Sequence, residues 1–192
     1  MYPARTWPHK NHLTLLEALL LLRDQHGLEI ALVCPGARDE HFAPLEERIS
    51  ELGLSDSVRF PGFVSPLELR ALYSLATALV FPSLSEGWGL PVTEAFGSGV
   101  PVACSALPPL LDVAGDAALT FDPHSPEQIA DSIARLCRDR DLRDDLVGKG
   151  ERRREQLSFD RAARVLRAQY RRLGGAQLSP EDEELLQAPP LS

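Results

Sequence analysis

The sequence contains few cysteines and no long apolar run. Its three cysteines, Cys34, Cys104 and Cys137, lie far apart in a chain of 192 residues. An odd number of widely spaced cysteines argues against a disulfide framework and favours a reducing compartment. No apolar stretch approaches the roughly 18–20 residues that span a bilayer, and the N-terminus lacks the apolar core of a signal peptide. We therefore expect a cytoplasmic protein, with any membrane contact peripheral and at the inner face.

Several motifs of enzyme active sites are also missing. The chain contains no G-x-G-x-x-G, no G-x-x-x-x-G-K-[ST] and no G-x-S-x-G. The signatures of a dinucleotide-binding fold, a P-loop and a hydrolase are therefore absent from the sequence. His9 and His12 lie close together, but no third ligand of suitable spacing accompanies them. We therefore predict no metal site and no bound cofactor.

Charge is unevenly distributed along the chain. The formal net charge is −8, and half of it comes from the four consecutive acids at 181–184. Residues 148–175 instead carry nine basic and three acidic side chains. The arginines at 161, 164, 167, 171 and 172 lie opposite an apolar stripe, which favours a solvated helix face. The alternatives are weak binding of an anionic membrane or of a phosphorylated acceptor. Nucleic acid is not an expected partner, because aromatic residues do not interleave the charges.

Short apolar runs alternate with helical patterns over most of the sequence. The apolar runs lie at 1–4, 28–34, 58–60, 78–81, 100–104 and 118–121. Strands that alternate with helices predict a parallel sheet with helices on both faces. We therefore predict an α/β, Rossmann-like parallel sheet of about six strands, in one domain over residues 1–174. Residues 175–192 are acidic and contain prolines, and we predict a disordered tail there.

Residues 81–102, F-P-S-L-S-E-G-W-G-L-P-V-T-E-A-F-G-S-G-V-P-V, combine a strand end, a loop of small residues and a helix start. The helix is predicted to begin near Leu90 and Pro91 and to end at the glycines of 97–99. The free N–H groups of a helix start bind anions, and glycines let phosphates approach the backbone. Glu86 in the loop and Glu94 in the helix flank this predicted anion site.

Other candidate ligand residues are expected at the same edge of the sheet. Ligands of parallel sheets bind at the carboxyl ends of the strands, and Arg5, Lys10 and Phe63 all follow predicted strands. Arg5 and Lys10 either hold a diphosphate or are solvated surface cations. Phe63 and Val64 either contact a flat base or form a tight turn with a core phenylalanine. Trp88 either covers the ligand or anchors its loop.

Five motifs, in this order along the chain, resemble those of a known family. The segment S-E-G-W-G-L-P-V-T-E-A-F-G-S-G-V-P-V resembles the donor-site signature of retaining glycosyltransferases of family 4, which have the GT-B fold. Its two glutamates, Glu86 and Glu94, are separated by seven residues, as in that family. P-A-R-T-W-P-H-K-N resembles the first donor loop, and P-G-F-V resembles the segment that contacts the base. V-A-G-D-A-A-L-T-F-D-P and S-P-E-Q-I-A also follow the family pattern, so the resemblance covers about residues 2–173.

The resemblance implies a site for a nucleotide-diphosphate sugar that needs no metal. By this resemblance, Glu86 would engage the donor sugar as the catalytic residue, and Glu94 would bind the ribose. The diphosphate would be bound by Arg5 and Lys10 and by the loop residues Gly87, Trp88, Gly89 and Leu90. Phe63 and Val64 would contact the base.

One departure from the family pattern is large. GT-B enzymes have two domains with the active site between them, and this chain resembles only the second. The resemblance therefore implies a donor-binding half that lacks the N-terminal acceptor-binding domain, with its first strand cut short at residues 1–4. The expected partners are a nucleotide sugar and that domain, or a companion chain that replaces it. The alternative function is a non-catalytic module that binds nucleotide sugars or docks a partner, whereas the glutamate spacing disfavours an epimerase.

Overall fold

A computed structural model describes residues 1–187, in which β-strands and α-helices alternate. The strands are β1 (Leu32–Pro35), β2 (Val58–Gly62), β3 (Leu79–Phe81), β4 (Val102–Ser105) and β5 (Ala118–Phe121). The helices are α1 (His12–His26), α2 (Phe42–Glu51), α3 (Pro66–Leu75), α4 (Leu90–Gly97), α5 (Pro108–Ala114), α6 (Pro126–Arg138), α7 (Arg140–Gln156), α8 (Phe159–Leu173) and α9 (Pro180–Gln187). A short 3₁₀ turn, Pro8–Lys10, precedes α1. Within the described residues, none of the helices combines the length and the apolar character needed to cross a membrane.

The strands form two small parallel sheets, β1-β2 and β3-β4-β5. The predicted α/β class is confirmed, but the prediction of about six strands in one sheet is not. Residues 1–4, predicted as the end of a strand, form an extended segment between β1 and β3. The Tyr2 N–H donates to the Val33 carbonyl at 2.9 Å, and the Val80 N–H donates to the Met1 carbonyl at 3.1 Å. These few bonds are divided between two neighbours, and β1 is itself irregular between Val33 and Pro35. The segment therefore links the two sheets without forming a regular strand.

The three-stranded sheet is covered on both of its faces. All four residues of β4 are buried, and successive side chains of a strand point to opposite faces. Helix α4 packs against β3 and β4, while α6 packs against β4 and β5. Because both faces of β4 are buried, its sequence is a continuous run of small and apolar residues and does not alternate between apolar and polar residues.

Helix α1 buries a histidine at its first position. His12 is 4% exposed, and its ring lies 4.8 Å from the ring of Tyr2 and 5.6 Å from that of Phe60, measured between centroids. The Nε2 atom of His12 is buried and has no hydrogen-bond partner among the described residues. Burial, with a smaller effect from the charge of Lys10, lowers the pKa of His12 from 6.5 to about 4.

This buried histidine predicts a loss of stability in mild acid. Between pH 6.5 and about 4, His12 is protonated in the unfolded chain but stays neutral in the folded protein. The free energy of unfolding is therefore highest above this pH window and falls as the pH drops through it. Between pH 7 and 5 we expect His12 to account for about 2 kcal/mol of lost unfolding free energy. Urea unfolding at both pH values should show this loss in the wild type and in the control His124→Phe, whose histidine is exposed. The loss should be absent in His12→Phe; an equal loss in all three proteins would contradict the assignment.

The predicted disordered tail differs from the structure, which places α9 within it. Ser179 caps this helix by accepting from the Asp182 N–H at 3.2 Å, and Asp182 accepts in return from the backbone N–H of Ser179 at 3.0 Å. Arg171 on α8 donates to the same carboxylate at 2.8 Å. These hydrogen bonds, first the one from Ser179 and then that from Arg171, lower the pKa of Asp182 to about 2. The acidic segment is therefore ordered because α8 supplies its counter-charges. The last part of the predicted tail, residues 188–192, lies outside the described residues.

The arginines of α8 lie on a largely solvated face, as predicted, but some of them also form ion pairs. Arg164 and Arg167 contact Glu181 of α9 at 3.3 and 3.6 Å, so this face carries ion pairs as well as solvent. The apolar stripe on the opposite side is the more exposed one: Phe159 is 87% exposed and Leu173 is 80% exposed. The predictions of weak binding to a membrane or to a phosphorylated acceptor stay predictions.

Candidate functional site

Two loops meet at the carboxyl end of the strands, the first loop after residues 1–4 and the loop after β3. The Lys10 Nζ donates to Glu86 Oε1 at 2.5 Å, although the two residues are 76 positions apart in the sequence. Both side chains are mostly buried, with 16% of Lys10 and 10% of Glu86 exposed. The Leu84 N–H also donates to the carbonyl of His9 at 2.8 Å, which fastens the two loops together. The predicted diphosphate-binding lysine and the predicted catalytic glutamate are thus in direct contact.

Lys10 is held in place by Tyr2 and by contacts of the next residue, Asn11, neither of which the sequence indicated as a site residue. The hydroxyl of Tyr2 donates to the Lys10 carbonyl at 2.6 Å. The following residue, Asn11, has a left-handed backbone with φ of 59°. Its Nδ2 donates to the carbonyls of Pro82 at 2.9 Å and Pro123 at 2.7 Å, so it joins three segments at the site. An asparagine just before a helical pattern was the available signal, since asparagine is enriched in left-handed positions.

The N-terminus of α4 opens at the same edge. Gly89 precedes the helix with φ of 86°, and the helix has no side-chain cap. Pro91 has no N–H, and the Val92 N–H donates to the Gly89 carbonyl at 2.9 Å. The Leu90 N–H is therefore the donor that this helix start offers to an anion.

Gly87 lies in free space, because a Cβ built there would meet nothing within 4 Å. Trp88 is 39% exposed and Leu90 is 55% exposed. Gly87 is also exposed whereas Gly89 is buried, so a ligand can approach this loop at Gly87.

A cleft of about 410 Å³ lies beside the loops, and we call it the Phe63 cleft. It is lined by residues that include four of the predicted site residues, Arg5, Phe63, Val64 and Glu94. Phe63 is 86% exposed, so the alternative of a core phenylalanine in a tight turn is wrong. Lys10 and Glu86 are not among the residues that line this cleft. The predicted base and ribose residues therefore form one group, and the Lys10–Glu86 pair forms another.

Arg5 lies in the Phe63 cleft and is held by a carboxylate from another loop. Its Nε and Nη2 atoms donate to the two carboxylate oxygens of Asp39 at 3.1 and 2.9 Å. This pairing raises the pKa of Arg5. The guanidinium carbon also lies 4.6 Å from the centroid of the Trp7 ring. Arg5 is half exposed but fixed in direction, unlike a freely solvated surface cation. Asp39 gave no local signal in the sequence, because it lies 34 residues from Arg5.

Glu94 contacts Tyr73, which the sequence also did not indicate as a site residue. The Tyr73 hydroxyl donates to Glu94 Oε2 at 2.9 Å and lies 3.3 Å from the carbonyl of Pro91. Tyr73 belongs to none of the sequence motifs that indicated the site. The structure shows that it connects α3 to the carboxylate predicted to bind a ribose.

Comparisons with known proteins show the family of this chain. Residues 1–153 match the family described as glycosyl transferases group 1. Over 163 residues the chain is 34% identical to the O-antigen chain mannosyltransferase B of Escherichia coli. The aligned region covers 83% of this chain and 42% of that protein.

Solved structures show the same fold. Sucrose-phosphate synthase from Thermosynechococcus elongatus superposes with a TM-score of 0.79 and 27% identity, over 92% of this chain and 45% of that one. The C-terminal domain of a glycosyl transferase group 1 family protein from Francisella tularensis gives a TM-score of 0.67 and 25% identity, over 79% of this chain and 81% of that one. The chain spans less than half the length of the mannosyltransferase and of the synthase. From its match over residues 1–153, the chain belongs to the glycosyl transferases group 1 family.

Proposed function

We propose that this chain is the donor-binding domain of a retaining, family 4 glycosyltransferase of the GT-B fold, which transfers a sugar from a nucleotide-diphosphate sugar. An N-terminal domain or a companion chain supplies the acceptor site. The observation that carries the proposal is the convergence of Lys10, Glu86 and the open N-terminus of α4 at one edge of the sheet. The match over most of a solved C-terminal domain supports the assignment of this chain to the second domain.

The chemistry of the proposed transfer requires positive charge at the departing diphosphate. Arg5 and Lys10 supply two cations from one loop, and the N-terminus of α4 supplies partial positive charge. In this proposal these groups stabilise the leaving diphosphate and no metal is needed. Lys10 neutralises Glu86 until the diphosphate attracts the ammonium group. The Glu86 carboxylate then faces the sugar, where it stabilises the positive charge that develops at the anomeric carbon.

The Phe63 cleft supplies the proposed site for the nucleoside. Its volume of about 410 Å³ is within the range of small-molecule sites. The exposed ring of Phe63 offers a flat surface to a base, and Glu94 offers a carboxylate to the ribose hydroxyls. Arg5 lines the same cleft, so a cation is available there to the diphosphate of the proposed donor.

The thiols support the proposal of a cytoplasmic location. All three cysteines are unpaired, and burial raises the pKa of the Cys34 and Cys104 thiols to about 12. Such thiols are protonated and unreactive at neutral pH. Free cysteines without disulfides are typical of proteins of a reducing compartment. A weak peripheral contact of the basic residues 148–175 with an anionic membrane is a further part of the proposal.

Calorimetry with a panel of nucleotide-diphosphate sugars tests the proposed function. We expect the wild type to bind at least one of them weakly, and Arg5→Ala to bind about tenfold more weakly because a charged hydrogen bond is lost. Gly87→Ala should also lose affinity, because its new methyl group occupies the space through which phosphates approach. Its unfolding free energy should stay unchanged, because that methyl group meets no protein atom.

Two results would contradict parts of the proposal. A well-folded wild type that binds none of the nucleotide sugars would contradict the donor site. Transfer to an acceptor by this chain alone would contradict the requirement for a second domain. Binding without transfer, even with the companion domain added, would instead favour the non-catalytic module.

A further inference from the structure

The buried side chain of Tyr73 forms a hydrogen bond with Glu94, an exposed residue that lines the Phe63 cleft. Tyr73 is 2% exposed, and its hydroxyl donates to Glu94 Oε2 at 2.9 Å. Glu94 belongs to α4, is exposed to solvent and lines the cleft. An exposed glutamate normally rotates among many conformers, because three side-chain bonds are free to turn. The hydrogen bond from Tyr73 removes much of this freedom.

The helix that carries Tyr73 is itself fixed close to the cleft. Its N-terminus has a capping box, in which Ser65 accepts from the Glu68 N–H at 3.3 Å and the Ser65 N–H donates to Glu68 Oε2 at 2.7 Å. Leu69, one turn before Tyr73, lines the cleft. Burial, and next the nearby charge of Glu94, raise the pKa of the Tyr73 hydroxyl, so it stays a hydrogen-bond donor at every working pH. Helix α3 therefore presents a rigid donor to Glu94.

We propose that Tyr73 is the positioning residue that orients the Glu94 carboxylate toward a ribose diol, and that it thereby makes the site selective for ribonucleotide donors. This inference rests on the proposed function, in which Glu94 binds the ribose. A carboxylate has about four acceptor positions on its two oxygens. With one position occupied by Tyr73, the remaining ones can accept from two neighbouring hydroxyls. A nucleotide that lacks one of these hydroxyls leaves a fixed acceptor without its partner and binds less tightly.

The first test measures Glu94 in the ligand-free protein by NMR. The side-chain couplings of Glu94 should report one dominant conformer in the wild type and rotational averaging in Tyr73→Phe, which keeps the buried ring and removes the hydroxyl. Tyr170→Phe is the matched control, because it removes a hydroxyl from an exposed tyrosine on α8, and it should behave as the wild type. An unchanged Glu94 conformer in Tyr73→Phe would overturn the positioning role, whatever the protein binds.

The second test measures selectivity with UDP, GDP and their 2′-deoxy counterparts. We expect the wild type and Tyr170→Phe to prefer the ribonucleotide about tenfold, the equivalent of one charged hydrogen bond. In Tyr73→Phe this preference should fall to about threefold or less, mainly through weaker binding of the ribonucleotide. Equal losses for both nucleotides would overturn the role in selectivity. A wild type that binds neither nucleotide would contradict the proposed function and the ribose assignment, while averaging of Glu94 confined to Tyr73→Phe would still support the positioning role.

Discussion

Replacing Lys10 with methionine should lower the free energy of unfolding by about 3–5 kcal/mol, because Glu86 then remains as a buried charge without its partner. The Glu86 side chain is only 10% exposed and contacts the ammonium group at 2.5 Å. Urea unfolding measures this loss. The same variant should bind a nucleotide sugar at least tenfold more weakly, because a cation of the proposed diphosphate site is removed.

A double variant separates the two effects of Lys10. Lys10→Met combined with Glu86→Gln leaves no unpaired charge, so most of the lost stability should return while nucleotide-sugar affinity stays low. Lys149→Met is the matched control, since Lys149 contacts Asp145 at 2.7 Å but that carboxylate is 54% exposed. It should lose less than about 1 kcal/mol. If Lys10→Met costs no more than Lys149→Met, the Lys10–Glu86 pair is not effectively buried.

Replacing Gly36 with alanine should cost about 3 kcal/mol or more of unfolding free energy. A Cβ at this position would lie 2.1 Å from the Ala4 carbonyl oxygen and 2.5 Å from the Ala4 carbonyl carbon. Both are backbone atoms, so the segment that links the two sheets must shift. The φ of Gly36 is 149°, which adds backbone strain to the overpacking. Thermal and urea unfolding measure the loss, and the shift should also displace the adjacent Arg5 and weaken nucleotide-sugar binding.

Gly62→Ala is the control for backbone conformation alone. Gly62 has φ of 80°, but a Cβ built there meets nothing within 4 Å. Its substitution should cost only about 1–2 kcal/mol, the strain of a left-handed residue. Equal losses for Gly36→Ala and Gly62→Ala would show that the contact with Ala4 is not responsible.

Local features of the fold were readable from the sequence. The helix Leu90–Gly97 begins and ends where the proline and the glycines predict. Ser65 and Glu68, a serine followed three residues later by an acid, form a capping box, as this pattern favours. Gly27 ends α1 in a left-handed conformation, which glycine commonly adopts after the last residue of a helix. These features depend on hydrogen bonds between residues at most a few positions apart, so the sequence contains the whole interaction.

Other local predictions failed where distant residues intervene. The apolar run at 28–34 predicted a strand over its full length, but β1 begins only at Leu32. The strand begins where its pairing with β2 begins, because Leu32 is paired with Val58, the first residue of β2. The acidic composition of residues 175–192 predicted disorder, but Arg171 of α8 pairs with Asp182 and helix α9 forms. In both cases the decisive partner lies outside the segment.

The sequence by itself determined the α/β class, the family and the list of candidate site residues, because apolar periodicity, caps and ordered motifs are properties of short segments. Only the tertiary structure decided which charged groups meet. Lys10 contacts Glu86, and Arg5 contacts Asp39, across 76 and 34 residues of chain. Such pairs form because the parallel strands bring their carboxyl ends to one edge, and which side chains meet there depends on how the loops pack. Thus the sequence supplied the candidate site residues, and the packing of the loops and helices decided how their charges are partnered.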